Sequence, residues 1–153
     1  GLHGSRRDTL HLTVSAVFDH ADATLLDERI YDFNVERTGI ADGRRLGIFL
    51  RDEGNAIVAG LHGWTWAGWL EIKALWVGPE VRGIGYGKDL LAASETEAKS
   101  RGCRIALLDT HSFQAPGFYE SAGYREVASI DGYPSGSKRH YFVKDLGVPD
   151  RVR

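Results

Sequence analysis

From Leu10 to Phe18 the chain reads LHLTVSAVF, an alternation of apolar and polar residues among β-formers that predicts a strand. Between Asp22 and Val35, Leu25, Leu26, Ile30, Phe33 and Asn34 recur at roughly helical intervals, which predicts an amphipathic helix ending before Gly39. RRLGIFLRDEGNAIVAGLHGWTW reads as two strands around the turn Asp52-Glu53-Gly54-Asn55. A further strand, Trp69 to Val77, follows Ala67-Gly68 and stops at Gly78-Pro79, because proline cannot donate to a ladder. From about Gly85 to Ser100 the pattern is helical, with Ile84, Leu91 and Ala98 on one stripe and Gly102 as terminator.

Arg104 to Thr110 is a nearly continuous apolar run, the pattern of a strand covered on both faces. Pro116 suits the first turn of a short helix that Gly123 ends. YREVASI and KRHYFVKDL then read as strands around a turn at Asp131–Gly136. The predicted order β-α-β-β-β-α-β-α-β-β implies an α/β protein, a mixed sheet with helices on its faces. The length of 153 residues fits one domain over the whole chain. Residues 1–8 read as a tag remnant or a frayed terminus without the apolar core of a signal peptide.

Composition narrows the functional classes. A net charge of −2 supplies no basic field for nucleic acid and no polybasic membrane patch. No apolar run is long enough to span a bilayer. The one cysteine, Cys103, precludes an internal disulfide and a cysteine metal site, reads as a small core residue, and fits a reducing cytoplasm. No metal site is expected.

The chemistry concentrates in VRGIGYGKDLL, three glycines in five positions between a strand and a helix. A helix start exposes unpaired N–H groups and the positive end of the dipole, and glycine lets an anion approach them. A P-loop would need glycine at position 82 and a hydroxyl at 89, where Arg82 and Asp89 stand. A dinucleotide fingerprint fits Gly83 and Gly85 but places Lys88 at the third glycine.

The remaining pattern, Arg82-x-x-Gly85-x-Gly87 after LEIKALWVGPEV, resembles the GNAT superfamily of N-acetyltransferases. A second motif strengthens the resemblance: Ser112-Phe-Gln-Ala115-Pro-Gly-Phe-Tyr119-Glu-Ser-Ala-Gly123-Tyr124, in which Ser112 stands where the family usually carries asparagine. The resemblance covers about Trp69 to Leu146. It implies that backbone N–H groups of Arg82, Gly83, Ile84, Gly85, Tyr86, Gly87 and Lys88 cradle the pyrophosphate of acetyl-CoA. It implies a sheet that splays beside the strand of Leu75, Trp76 and Val77, with pantetheine in the gap near Ser112, Phe113, Ala115 and Phe118.

For the reaction, the resemblance implies that the Tyr119 hydroxyl protonates the departing thiolate; a phenol with a pKa of about 10 suits that role. Glu71 aligns with a strand glutamate that serves some members as general base, with pairing to Lys73 as the alternative. His111 is a second candidate base. Trp64, Trp66 and Trp69 either pack the strands or line an acceptor pocket where ring faces attract an ammonium, and Tyr133 could close that pocket. The expected activity is acetyl transfer from acetyl-CoA to a primary amine of a small molecule. A non-catalytic acyl-CoA sensor, an acetyltransferase acting on protein lysine or an N-terminus, and a nucleotide-binding oxidoreductase are the alternatives. C-terminal strands in such folds often pair subunits, so a homodimer is open.

Overall fold

The structure, a computed structural model, describes residues 9–147. The chain divides into two units, Gly1–Gly39 and Ile40–Arg153. The first contains helix α1 (His20–Thr38). Asp19 caps it by accepting the Ala21 N–H at 3.0 Å. Gly39, at φ 74°, ends it and returns its own N–H to the Val35 carbonyl. No residue of α1 is buried.

The strand expected at Leu10–Phe18 is not formed; those residues carry no regular structure. Leu12 is 92% exposed and Val14 90%. Alternation makes a strand only where a neighbour completes the ladder and a core covers the apolar side, and residues 10–18 have neither in this structure. The residues expected as a tag remnant or frayed end, 1–8, lie outside the described ones.

The second unit carries β1 (Arg44–Arg51), β2 (Ile57–Trp66), β3 (Trp69–Val77), α2 (Tyr86–Ser100), β4 (Ile105–His111), α3 (Pro116–Ser121), β5 (Arg125–Ile130) and β6 (Arg139–Asp145). The strands form one mixed sheet in the order β1-β2-β3-β4-β6-β5. β3 and β4 are parallel, and every other neighbouring pair is antiparallel. The α/β mixed-sheet class is as the sequence implies.

Burial alternates along the strands. Ala59, Leu61, Leu70, Ala106, Leu108 and Phe142 are buried and join Leu90, Leu91 and Ala98 of α2 and Tyr119 of α3 in one core. Cys103, 2% exposed, belongs to it. Ile84, expected on the apolar stripe of α2, is instead exposed, because the helix begins two residues later at Tyr86. β4 is fully covered on one side and only partly on the other: Ala106, Leu108 and Thr110 are buried, Ile105, Leu107 and His111 are half-buried, and Asp109 is exposed and pairs with Arg139 at 2.8 Å.

Two local features shape the centre. Between β2 and β3 the register passes from His62↔Ala74 to Gly63↔Ile72, so Lys73 is an extra, bulged residue. The strands approach so closely there that a Cβ on Gly63 would sit 2.3 Å from the Glu71 carbonyl oxygen. On the other side, Glu95 of α2 accepts from Tyr124 at 3.0 Å and from Lys144 of β6 at 2.7 Å, tying helix to sheet. Burial first, then the Glu95 charge and hydrogen bond, push the Tyr124 phenol far above its ordinary pKa.

Candidate active site

The parallel ladder between β3 and β4 holds for three residue pairs, Trp69↔Ile105, Leu70↔Ala106 and Glu71↔Leu107, and then ends. β3 continues through Ile72–Val77 paired with β2 only. The bulge at Lys73 supplies the physical cause, since an extra residue bends and twists its strand. Backbone groups of Leu75, Trp76 and Val77 that turn toward β4 therefore have no ladder partner, which is the splay the sequence led us to expect.

β3 runs through a short 3₁₀ turn, Pro79–Val81, into the glycine loop. Arg82 folds back and donates from Nε to the Val77 carbonyl at 2.9 Å, fixing the loop to the strand end. Gly83 and Gly85 have φ of 78° and 104°, and a Cβ on either would meet nothing within 4 Å. These two are glycine because of backbone conformation, and the space beside them is open. Gly87 differs: its Cβ would lie 3.2 Å from the Phe118 ring and 3.7 Å from Val77, so it lets α2 pack against α3 and β3.

α2 has no side-chain cap at Gly85, and its first helical bond runs from the Asp89 N–H to the Gly85 carbonyl at 3.1 Å. The N–H groups of Tyr86, Gly87 and Lys88 thus lack helical acceptors. Open space, uncapped N–H groups and an interrupted ladder on one strand–loop–helix unit fit a long ligand with a phosphate group. Among the residues present, 82–88 would hold the pyrophosphate of acetyl-CoA and the freed edge of β3 its acyl-bearing arm.

Tyr119 sits on α3 against Phe118, Tyr124 and Phe142, with ring centroids 5.1, 6.1 and 6.1 Å away. Burial, helped by the Asp109 charge, raises its pKa, so its phenol keeps the proton a general acid must give. Ala115 begins α3 in the left-handed region at φ 63°, a conformation that costs an alanine roughly 1 kcal/mol. That turn swings the chain from the Ser112–Gln114 3₁₀ turn into α3 and delivers Phe118 and Tyr119 to the core side.

The candidate bases fall in two places. Glu71 lies on the outer side of β3, opposite Trp64, and pairs with Lys73 at 2.8 Å. Trp66 and Trp69 face one another across the Ala67-Gly68 turn. Trp66 also donates its indole N–H to the Ile40 carbonyl at 2.9 Å. The three tryptophans and Glu71 therefore share one face, with Trp69 42% exposed.

His111 ends β4 and is half-buried. It stacks on Phe113 at 5.0 Å and meets the Tyr133 ring edge-on at 4.5 Å. The Gln114 Oε1 accepts the His111 backbone N–H at 2.8 Å. Tyr133 thus joins His111 and Phe113, and Arg139, ion-paired to Asp109, lies with its guanidinium 5.4 Å from the Tyr141 ring.

Ser112 is committed to β6: its Oγ lies 2.8 Å from His140 Nε2 and accepts the Lys138 N–H at 3.0 Å. His140 Nδ1 contacts Glu126. The bulge at Lys73, the left-handed backbone of Ala115, and the residues His140 and Glu126 are contributions that the sequence reading did not single out. The alternation in KRHYFVKDL carried the one usable signal, since it puts His140 and Phe142 on one side of β6.

A sheet parted beside a glycine-rich helix mouth, with a tyrosine on the following short helix, defines the acyl-CoA acyltransferase architecture. The Acetyltransferase (GNAT) family model matches residues 13–124, and the chain belongs to that family. The chain is 38% identical to Blasticidin-S acetyltransferase of Streptomyces morookaense over 116 residues, 73% of this chain and 85% of that one. It is 34% identical over 135 residues to an acetyltransferase of Agrobacterium fabrum, 88% of this chain and 98% of that one. A crystal structure of an acetyltransferase from Agrobacterium tumefaciens superimposes with a TM-score of 0.78 at 32% identity, covering 89% of this chain and 99% of that one. The protein is an acyltransferase that uses acetyl-CoA, the acyl donor of this family.

Proposed function

We propose that the protein moves the acetyl group of acetyl-CoA to a primary amine of a small molecule by direct transfer between the two bound partners. The observation that carries this is the β3–β4 ladder ending after Glu71↔Leu107, on the strand that feeds the glycine loop. Tyr119 serves as the acid toward the departing thiolate. Glu71 or His111 receives the proton of the amine, directly or through water. N–H groups of Leu75 or Val77 polarise the thioester carbonyl, and Ser112, Phe113, Ala115 and Phe118 flank the pantetheine arm.

Trp64, Trp66 and Trp69 supply aromatic faces for a cationic acceptor, and Tyr133 approaches from the side of His111. The relative named Blasticidin-S acetyltransferase favours a small molecule over a protein lysine. We read residues 1–153 as one functional domain because the family match spans parts of both units.

Release of free thiol from acetyl-CoA, measured against a panel of amines that includes blasticidin S, tests the proposal. Turnover with at least one small amine is expected. The Gly85→Ala variant should raise the KM for acetyl-CoA about tenfold, since alanine is strained at φ 104° by roughly 1–2 kcal/mol. Calorimetric binding of acetyl-CoA without turnover of any amine would instead favour the sensor reading.

A further inference from the structure

Ser112, His140 and Glu126 form a chain of side-chain contacts through the two ring nitrogens of His140. The Ser112 hydroxyl is 2.8 Å from His140 Nε2, and His140 Nδ1 meets the Glu126 carboxylate. A carboxylate on Nδ1 fixes the tautomer that keeps the proton there, which leaves Nε2 free to accept from the serine. The imidazole side chain is 16% exposed and the carboxylate 43%, so the histidine is sheltered while its orienting acid reaches solvent. One lone pair of Ser112 Oγ takes the Lys138 N–H at 3.0 Å, which holds the oxygen in place and leaves the second lone pair uncommitted. The longer approach of the same hydroxyl to the Lys138 carbonyl, 3.3 Å, is the weaker alternative for its proton.

The relay is close to the acyl-transfer residues. The Phe142 ring centroid is 6.1 Å from that of Tyr119 and 6.1 Å from that of His140, so the two groups flank one aromatic side chain. Ser112 also stands in the motif assigned above to the pantetheine arm.

We propose that Ser112 is an activated nucleophile and that the protein has a second activity, hydrolysis of acyl thioesters and activated esters through an acyl-serine. In the first step a bond forms between Ser112 Oγ and the acyl carbon while the bond to the leaving sulfur or oxygen breaks. The hydroxyl proton passes to His140 Nε2 and from there to the leaving group. In the second step water gives a proton to His140 and attacks the acyl-serine, the acid departs, and His140 returns that proton to the serine oxygen. Water is the co-reactant. The thioester half of the proposal rests on the acetyl-CoA site described above, whereas the ester half does not.

The test uses the full chain with a fluorophosphonate probe and with p-nitrophenyl acetate, neither of which needs the coenzyme site. Peptide mapping by mass spectrometry is expected to find the phosphonyl group on Ser112. Labelling and ester hydrolysis should fall on the order of 100-fold in His140→Ala and about tenfold in Glu126→Gln, with the circular dichroism of each unchanged. Acetyl-CoA without any amine should release thiol slowly in the native protein and not in Ser112→Ala.

An unlabelled Ser112, or labelling equal in the native protein and in folded His140→Ala, would overturn the proposal. His140→Asn provides a second folded variant with the same expected loss. Labelling that persists while acetyl-CoA fails to bind would leave the nucleophile standing and count against the coenzyme site alone.

Discussion

The two halves of the sheet are held together in different ways. β1, β2 and β3 form an antiparallel meander whose geometry is fixed by backbone: a bulge at Lys73, a glycine pressed on a carbonyl at Gly63, and tight turns. β4, β6 and β5 are fixed by side-chain networks: Asp109–Arg139, Ser112–His140–Glu126 and, through α2, Glu95 with Tyr124 and Lys144. Three residue pairs join the halves. The contrast is physical: one half presents a bare strand edge and an aromatic face, the other a set of ionisable side chains paired with one another.

The strongest way to break the contrast is Gly63→Ala. A Cβ 2.3 Å from the Glu71 oxygen forces β2 from β3 at the bulge. A loss on the order of 3 kcal/mol is expected, read as a fall in Tm of roughly 10 °C. An unchanged Tm would show that the backbone does not dictate that half.

Tyr119→Phe sharpens the contrast from the other side. Its hydroxyl makes no hydrogen bond among the described residues, so Tm should hold while kcat falls on the order of 100-fold. Equal losses in stability and activity would assign the hydroxyl to packing instead.

A third, smaller effect is alkaline. Tyr124 and Tyr119 both have raised pKa values in the folded protein, so the folded state keeps protons that the unfolded state gives up above pH 10 or so. The stability they contribute is present below that pH and declines above it, by roughly 1 kcal/mol from Tyr124 over the first pH unit, with Tyr119 acting in the same direction. Denaturant titrations from pH 8 to 11 should show the decline, and Tyr124→Phe should flatten it.

Lys73→Ala is the smallest. Its pair with Glu71 is about half exposed on both sides, and solvent screening holds its contribution to less than about 0.5 kcal/mol.

Much of this was legible in the residues. Element positions from Arg44 to Asp145 follow from alternation, helical stripes and glycine or proline stops, because each such pattern has a local steric cause. The glycine loop and Tyr119 were legible as motifs. Leu10–Phe18 misled, since alternation states what a strand would bury without supplying the neighbour that makes it one. The bulge at Lys73 was hidden because no residue type enforces it; it arises from register between two strands. The Ser112–His140–Glu126 chain of contacts joins residues 14 and 28 positions apart, and only sheet topology brings them together.

The burial of Cys103 has a practical consequence. The only sulfhydryl of the chain is shut away, with its pKa raised by that burial. A colorimetric reagent for sulfhydryls will therefore see the native protein as blank. Colour in a coenzyme assay reports turnover, and colour without coenzyme announces that the fold has opened.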